Sequence, residues 1–426
     1  MTEHSLEAGQ SELRQFLGRN YLVHSIEGGL YIGGLAFIAA NTVLPRMVEI
    51  LHGPAWVVSL MPIMMALGFG FPPILTAHRI EKLQRMKPIV MVTGVFQRLP
   101  FLFAALGLMM LTEQYRILAL IIAVFAPFIS GAVGGLSVTA WQELIIKTIP
   151  TNRRSSLFAT RLIISTSIGL AAGGTIAAIL DDYPGTYGYG ILFLIAFGFS
   201  VISYAIFSLV RETNFPMRNM LSKVNLRENL RKMPGIIKQD RQFRYFLVSR
   251  TLINGIFIVM PFMAIHALRV LEKPDSFLGN LVAAQMAGGI IGNIIAGVLG
   301  DRSGGKIVMR LSTMLFILVS VWSAVANTEW VFMAIFFLFG TAAYANDIGI
   351  VTLTLEICPV EKRSTYLALI AFVNLPVQLG CSLVSAVAWT LTQNLPLLSL
   401  FTIVFLVLST IFLAQLQEPR KNPVLR

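Results

Sequence analysis

Twelve apolar runs, each about long enough to cross a bilayer, dictate what this chain can become. A hydrocarbon core of ~30 Å takes roughly 20 apolar residues of α-helix, and inside it each backbone polar group must find its partner within the protein. The runs are 21–44, 55–77, 88–111, 117–144, 157–180 and 186–210, then 245–267, 277–299, 307–326, 330–357, 365–391 and 395–416. Chain breakers stand between them, at Gly53-Pro54, Pro184-Gly185, Gly304-Gly305 and Asn394 before Pro396. Only 13% of the 426 residues are charged and 56% are hydrophobic, whereas a soluble domain is nearer a quarter charged. The expected class is all-α and integral to a membrane, with twelve transmembrane helices.

The Lys and Arg residues set the orientation. With both termini inside, the cytoplasmic segments hold 25 of them, and the outward loops hold only Arg46, Arg116, Arg269 and Lys273. The net charge of +12 is therefore spread over short loops, not gathered on the basic face of a nucleic-acid-binding fold. The first ten residues, MTEHSLEAGQ, are polar and acidic, so the first span is expected to do the targeting. Cys358 and Cys381 form no disulfide framework or metal-ligand spacing.

The longest interval without an apolar run, 211–244, divides the chain. It carries nine Lys and Arg residues against Glu212, Glu228 and Asp240. Met217, Met220, Leu221 and Val224 fall at helical spacing, so this stretch reads either as a surface helix on an anionic membrane or as a solvated linker. The organisation is thus a cytoplasmic segment 1–20, a six-helix bundle 21–210, the basic linker 211–244, a second six-helix bundle 245–416 and a cytoplasmic tail 417–426. The halves repeat: the residues entering the first span, from Arg19, resemble those entering the seventh, from Arg244. The loop Pro150-Thr-Asn-Arg-Arg154-Ser155 likewise resembles Pro359-Val-Glu-Lys-Arg363-Ser364. Two parallel repeats about a pseudo-twofold along the membrane normal place a cavity at mid-depth.

Between the eighth and ninth spans lies Gly300-Asp301-Arg302-Ser303-Gly304-Gly305-Lys306. Read from Gly297, it resembles the Gly-x-x-x-Asp-Arg-x-Gly-x-Arg/Lys loop of the major facilitator superfamily, and the chain is similar to that family over its whole length. The resemblance implies a cytoplasmic gate at Asp301, Arg302 and Lys306. The matching first-half loop, from His78 to Lys87, keeps the charges but not the glycines or the Asp. The same stretch nearly fits a phosphate loop, but Ile307 stands where a hydroxyl would hold Mg²⁺ and the flanks are apolar spans. A self-contained ATPase is rejected. The fifth-span run 167–175 has glycines but no proline, unlike the drug antiporters of the family.

Ionisable groups within spans are costly and face a cavity or one another. The carboxylates are Glu27 in the first span and Asp347 in the tenth; Glu143 and Glu356 lie near cytoplasmic helix ends, where a loop-side ion pair suffices. His24 precedes Glu27 by one turn on the same face. Glu27, Asp347 and His24 are the proton-coupling candidates. For Glu27 three readings stand open: a carboxylate that loads and releases a proton, a permanent pair with an arginine, or an interfacial position. Arg98, Arg161 and Arg250 are the substrate-cavity candidates and suit an anionic or zwitterionic solute. Arg161 and Arg250 start only about two turns from a cytoplasmic helix end and can also snorkel; Arg98 is deeper. His266 reads as locally satisfied. Glycine stripes at 29/33, 131/135, 169/173 and 288/292 read as helix packing.

No catalytic set, metal cluster or cofactor loop is recognisable, so no enzyme and no cofactor are expected. The reading is a monomeric secondary transporter of the plasma membrane, of bacterial inner-membrane type, moving a small solute by alternating access. Protons, membrane lipids and an anionic, zwitterionic or amphipathic solute are the expected partners. A lipid flippase or scramblase on the same fold, or a non-transporting sensor, are the alternatives.

Overall fold

The computed structural model describes residues 3–70, 72, 73, 76, 83–111, 113–212, 235–359 and 363–421. The proposed surface helix around Met217–Val224 and most of the first-half loop before Arg85 lie outside the described residues. Among the described residues the regular structure is helical, and eleven helices are long and apolar enough to cross a membrane. The α-helical segments, some of which share one span, are labelled α1 (Glu3–Gly34), α2 (Val43–Ile50), α3 (Ala55–Leu60), α4 (Met64–Gly70), α5 (Lys87–Met110), α6 (Arg116–Thr148), α7 (Thr151–Asp182) and α8 (Thr186–Phe207), then α9 (Arg241–Ile253), α10 (Ile256–Val270), α11 (Phe277–Ser303), α12 (Gly305–Val325), α13 (Glu329–Ile357), α14 (Arg363–Thr392) and α15 (Leu395–Gln415). Large apolar side chains stay exposed along them, among them Met110, Ile117 and Leu391 at 72–78%. Such a surface is stable only against hydrocarbon. Trp330, 79% exposed at the start of α13, is suited to the membrane–water interface.

Most spans sit within a few residues of the expected limits. The first differs at both ends. Its helix begins at Glu3, because Leu, Glu, Ala, Gln and Arg dominate residues 6–14 and favour continuing the helix. It then breaks, passing through a 3₁₀ turn at Leu35–Ile38 and an irregular stretch before α2. Pro45 explains the break: without an N–H it fits the first turn of a new helix but not the middle of a continuous one. Pro62 acts alike in the second span, where a 3₁₀ turn at Met61–Ile63 separates α3 from α4. The seventh span divides at Asn254-Gly255. Two helix starts, those of α9 and α15, are capped by their own N-cap side chains. Asp240 accepts from Phe243 N at 2.9 Å, and Asn394 accepts from Leu397 N at 3.1 Å.

The contacts divide the chain into two compact units. The first comprises 1–39, 64–172 and 182–223; the second comprises 40–63, 173–181 and 224–426. Residues 40–63 and 173–181 thus pack with a unit made mostly of later sequence. Both units contain a helix crossing that only glycine permits. In the first, a Cβ on Gly131 of α6 would stand 2.2 Å from Met65 O of α4. In the second, a Cβ on Gly340 of α13 would stand 1.9 Å from Gln285 O of α11.

Candidate functional site

The first unit encloses a cavity of about 240 Å³ lined by α1, α4, α5, α6, α7 and α8. Helical spacing brings its residues to one place: Glu27 and Tyr31 are four apart on α1, Gly94 and Arg98 on α5, and Gly134, Ser137, Val138 and Trp141 follow one stripe of α6. Glu27 and Arg161 meet here as a buried ion pair, Oε2 to Nη1 at 3.1 Å, with both side chains less than a tenth exposed. Arg161 Nη1 also donates to the carbonyl of His24 at 3.2 Å, and its guanidinium lies 5.0 Å from the Trp141 ring centroid. It therefore does not snorkel to the helix end. Trp141 and Glu27 give it a partner at depth that a lipid-facing position lacks.

Arg98, 8% exposed, is fixed through backbone carbonyls. Nε donates to Ser200 O at 2.6 Å and Nη1 to Gly94 O at 2.7 Å. Its guanidinium lies 5.5 Å from the Tyr31 ring centroid and 5.0 Å from that of Tyr204. Gln97 Nε2 donates to the Tyr31 hydroxyl at 2.8 Å. No ion pair to Arg98 occurs among the described residues, although Glu27 acts on it through space. His24 is buried outside this cavity. Thr148 donates its hydroxyl hydrogen to Leu144 O, so the 3.2 Å contact between His24 Nε2 and Thr148 Oγ1 has the imidazole as donor.

Asp347 and Arg250 belong to the second unit. Asp347 is exposed on α13, Arg250 is half-buried on α9, and each acts electrostatically on the other. The same unit holds several amide–amide contacts. Asn254 Nδ2 donates to Asn374 Oδ1 at 2.7 Å, and Gln378 Nε2 donates to Asn254 Oδ1 at 3.3 Å. Asn41 Nδ2 donates to Gln285 Oε1 at 2.9 Å. Three of the four cations expected in outward loops are paired in this unit. Arg46 meets Glu49 at 2.6 Å and Asp275 at 2.9 Å, Arg269 meets Glu49, and Lys273 meets Glu329 at 2.9 Å.

At the helix ends expected to face the cytoplasm, each unit carries a clasp with its charges reversed. In the first, the Glu212 carboxylate accepts from Met86 N at 2.8 Å and Lys87 N at 3.0 Å, capping α5. It also pairs with Lys147 from the end of α6 at 3.1 Å. Lys87 Nζ donates to Ser208 O and Val210 O past the end of α8. In the second unit, Glu356 from the end of α13 accepts from Gly305 N at 3.1 Å, capping α12, and pairs with Arg420 at 2.8 Å. Arg420 also donates to Asp301 O and Gly300 O, both at 2.7 Å, and Lys306 Nζ donates to Leu416 O. Of the expected gate, Lys306 is engaged by its side chain and Asp301 by its carbonyl. Asp301 and Arg302 are exposed and have no side-chain ion pair among the described residues. Sequence reasoning missed Arg420, which sits past the last span in no recognised motif. Glu212→Ala removes a helix cap and a buried ion pair together. It should cost about 2–4 kcal/mol of stability, read by denaturant unfolding of the detergent-solubilised chain.

Sequence reasoning also missed Tyr31, Gln97, Trp141 and Tyr204. The spacing of Tyr31 from Glu27 was a usable signal; the others needed the packing of α5, α6 and α8.

Comparison with known proteins agrees with this architecture. Residues 245–425 match the sequence profile of the Major Facilitator Superfamily. The chain is similar to the crystal structure of a D-xylose-proton symporter, at 12% identity over 96% of this chain and 99% of that one, with TM-score 0.71. It is also similar to the nucleoside transporter NupG, at 15% identity over 95% and 98% with TM-score 0.62. A POT family transporter in complex with 5-aminolevulinic acid gives 11% identity over 95% and 97% with TM-score 0.68. No curated protein matches the chain in sequence. Likeness at these identities establishes the fold.

Proposed function

From a chain whose residues 245–425 match the Major Facilitator Superfamily profile, and whose fold is that of solved transporters over nearly its whole length, we propose a secondary transporter that moves a small solute across the plasma membrane by alternating access. Both termini lie in the cytoplasm in this reading, as the distribution of Lys and Arg requires. Proton coupling through Glu27 is part of the proposal.

The observation that carries it is the buried Glu27–Arg161 pair in a cavity wall. A pair in that position is switchable, because protonating the carboxylate releases the guanidinium toward an occupant. An anion on the guanidinium in turn leaves the carboxylate free to take a proton. By linkage, proton and anion favour each other's binding by the same factor. The D-xylose-proton symporter of the same fold is proton-coupled by its own description, which supports coupling as a mode open to this architecture.

The test is solute counterflow and solute-driven proton movement in proteoliposomes holding the full chain. Glu27→Gln should abolish proton movement while counterflow persists. Unchanged proton movement in that variant would remove Glu27 from the mechanism. The lipid-translocating reading has one observation to weigh, a large groove along α5 and α6. Its lining, from Phe96 and Phe103 to Ile129 and Val133, is entirely apolar. A headgroup would find no polar track there, so the groove favours acyl chains alone.

A further inference from the structure

Resting on the transporter reading, we infer that the first-unit cavity takes a small organic monoanion with a flat apolar body, its carboxylate seated on Arg98.

Three charged side chains line the cavity: Glu27, Arg98 and Arg161. Glu27 compensates Arg161 directly at 3.1 Å. One positive charge is left over, and it is on Arg98, more than nine-tenths buried and without an ion-pair partner among the described residues. A guanidinium has five N–H donors in a fixed fork. Two contacts from Arg98 go to the carbonyls of Ser200 and Gly94, and carbonyls offset desolvation without supplying the missing charge. The occupant that best completes this balance carries one negative charge and accepts through two oxygens, as a carboxylate does.

The rest of the wall fixes the other half of the ligand. Tyr31, Phe69, Trp141, Tyr204 and Phe207 supply rings, and the charged groups gather near Tyr31, Tyr204 and Trp141. Such a lining, with five rings and a mostly apolar surface, favours a planar apolar body over a polyol. A volume of about 240 Å³ accommodates one small ring. A cation is disfavoured by the surplus positive charge. A neutral isostere would leave Arg98 uncompensated.

The experiment is equilibrium binding of radiolabelled benzoate to the detergent-solubilised full chain. Unlabelled benzoate, nicotinate, benzamide and benzylamine serve as competitors. The expected result is saturable binding, with benzamide and benzylamine about tenfold or more weaker than the acids, the ratio of a charged to a neutral hydrogen-bonded contact. Arg98→Gln should abolish binding, and Arg98→Lys should retain part of it. Glu27→Gln, which leaves Arg161 without its counter-ion, should strengthen it several-fold. Benzamide competing as well as benzoate, or no saturable binding of either acid, would overturn the inference on the unsubstituted chain alone, whatever the folding of the variants. Counterflow of labelled benzoate separates the two proposals. Acid binding without counterflow keeps the site and removes transport. Flux of neutral or cationic solutes without acid binding keeps transport and removes this ligand class.

Discussion

Arg161→Met should destabilise the folded chain by about 3–5 kcal/mol, because it strands the buried Glu27 carboxylate with its hydrogen-bonded counter-charge gone. The 3.1 Å pair joins side chains that are both less than a tenth exposed. Glu27→Gln alone should cost less, since Gln keeps an acceptor for Arg161. Combining the two substitutions should recover most of the stability, as replacing a whole buried pair is often near neutral. Recovery should stop short by about 1–2 kcal/mol, because Arg161 also stacks on Trp141 and donates to His24 O. The four forms compose a double-mutant cycle, read by unfolding in micelles, with an expected coupling of about 2 kcal/mol or more. A coupling near zero would mean that the pair does not persist in solution. The same four proteins speak to function: a stable double variant that still moves protons with solute would leave Glu27 a purely structural partner.

How far the sequence disclosed this arrangement depends on which force set each feature. Span positions were legible because the bilayer fixes helix length, and a hydrophobic run of that length has few other fates. The breaks before α2 and at Asn254-Gly255 were not, since a hydropathy window sums over Pro45 and Gly255 without registering backbone geometry. Arg98, Arg161 and Glu27 were legible as costly charges within spans. Their pairing was not, because it depends on α1 meeting α7 within the first unit. Arg161 shows the difference well: two turns from a helix end, it could equally have reached the surface, and Trp141 on a third helix decided its direction. Asp301 and Arg302 present the reverse case. The motif marked them, yet the side chain clasping that loop belongs to Arg420.

Glycine stripes were read as packing, and Gly340, a glycine outside them that shares the crossing of the 288/292 stripe, supports the harshest test of the fold. Gly340→Ala adds only a methyl group, yet that atom would lie 1.9 Å from the Gln285 carbonyl oxygen. The obstacle is backbone, so no rotamer change relieves it, and α11 and α13 would have to separate along a crossing also closed by Gly288 against Phe337 O. Ordinary overpacking costs about 1–3 kcal/mol; a clash with a neighbouring helix's backbone should exceed that range and leave little folded protein. Gly198→Ala is the matched control: nothing lies within 4 Å of its added Cβ, and the helix preference of Ala should leave stability unchanged or raise it by up to about 1 kcal/mol. Size-exclusion chromatography of both variants in detergent decides the matter. Gly340→Ala eluting as a monodisperse protein of unchanged thermal stability would show that the two helices do not cross this closely. Because Gln285 Oε1 accepts from Asn41, the close crossing also fixes a polar contact between α11 and the turn before α2.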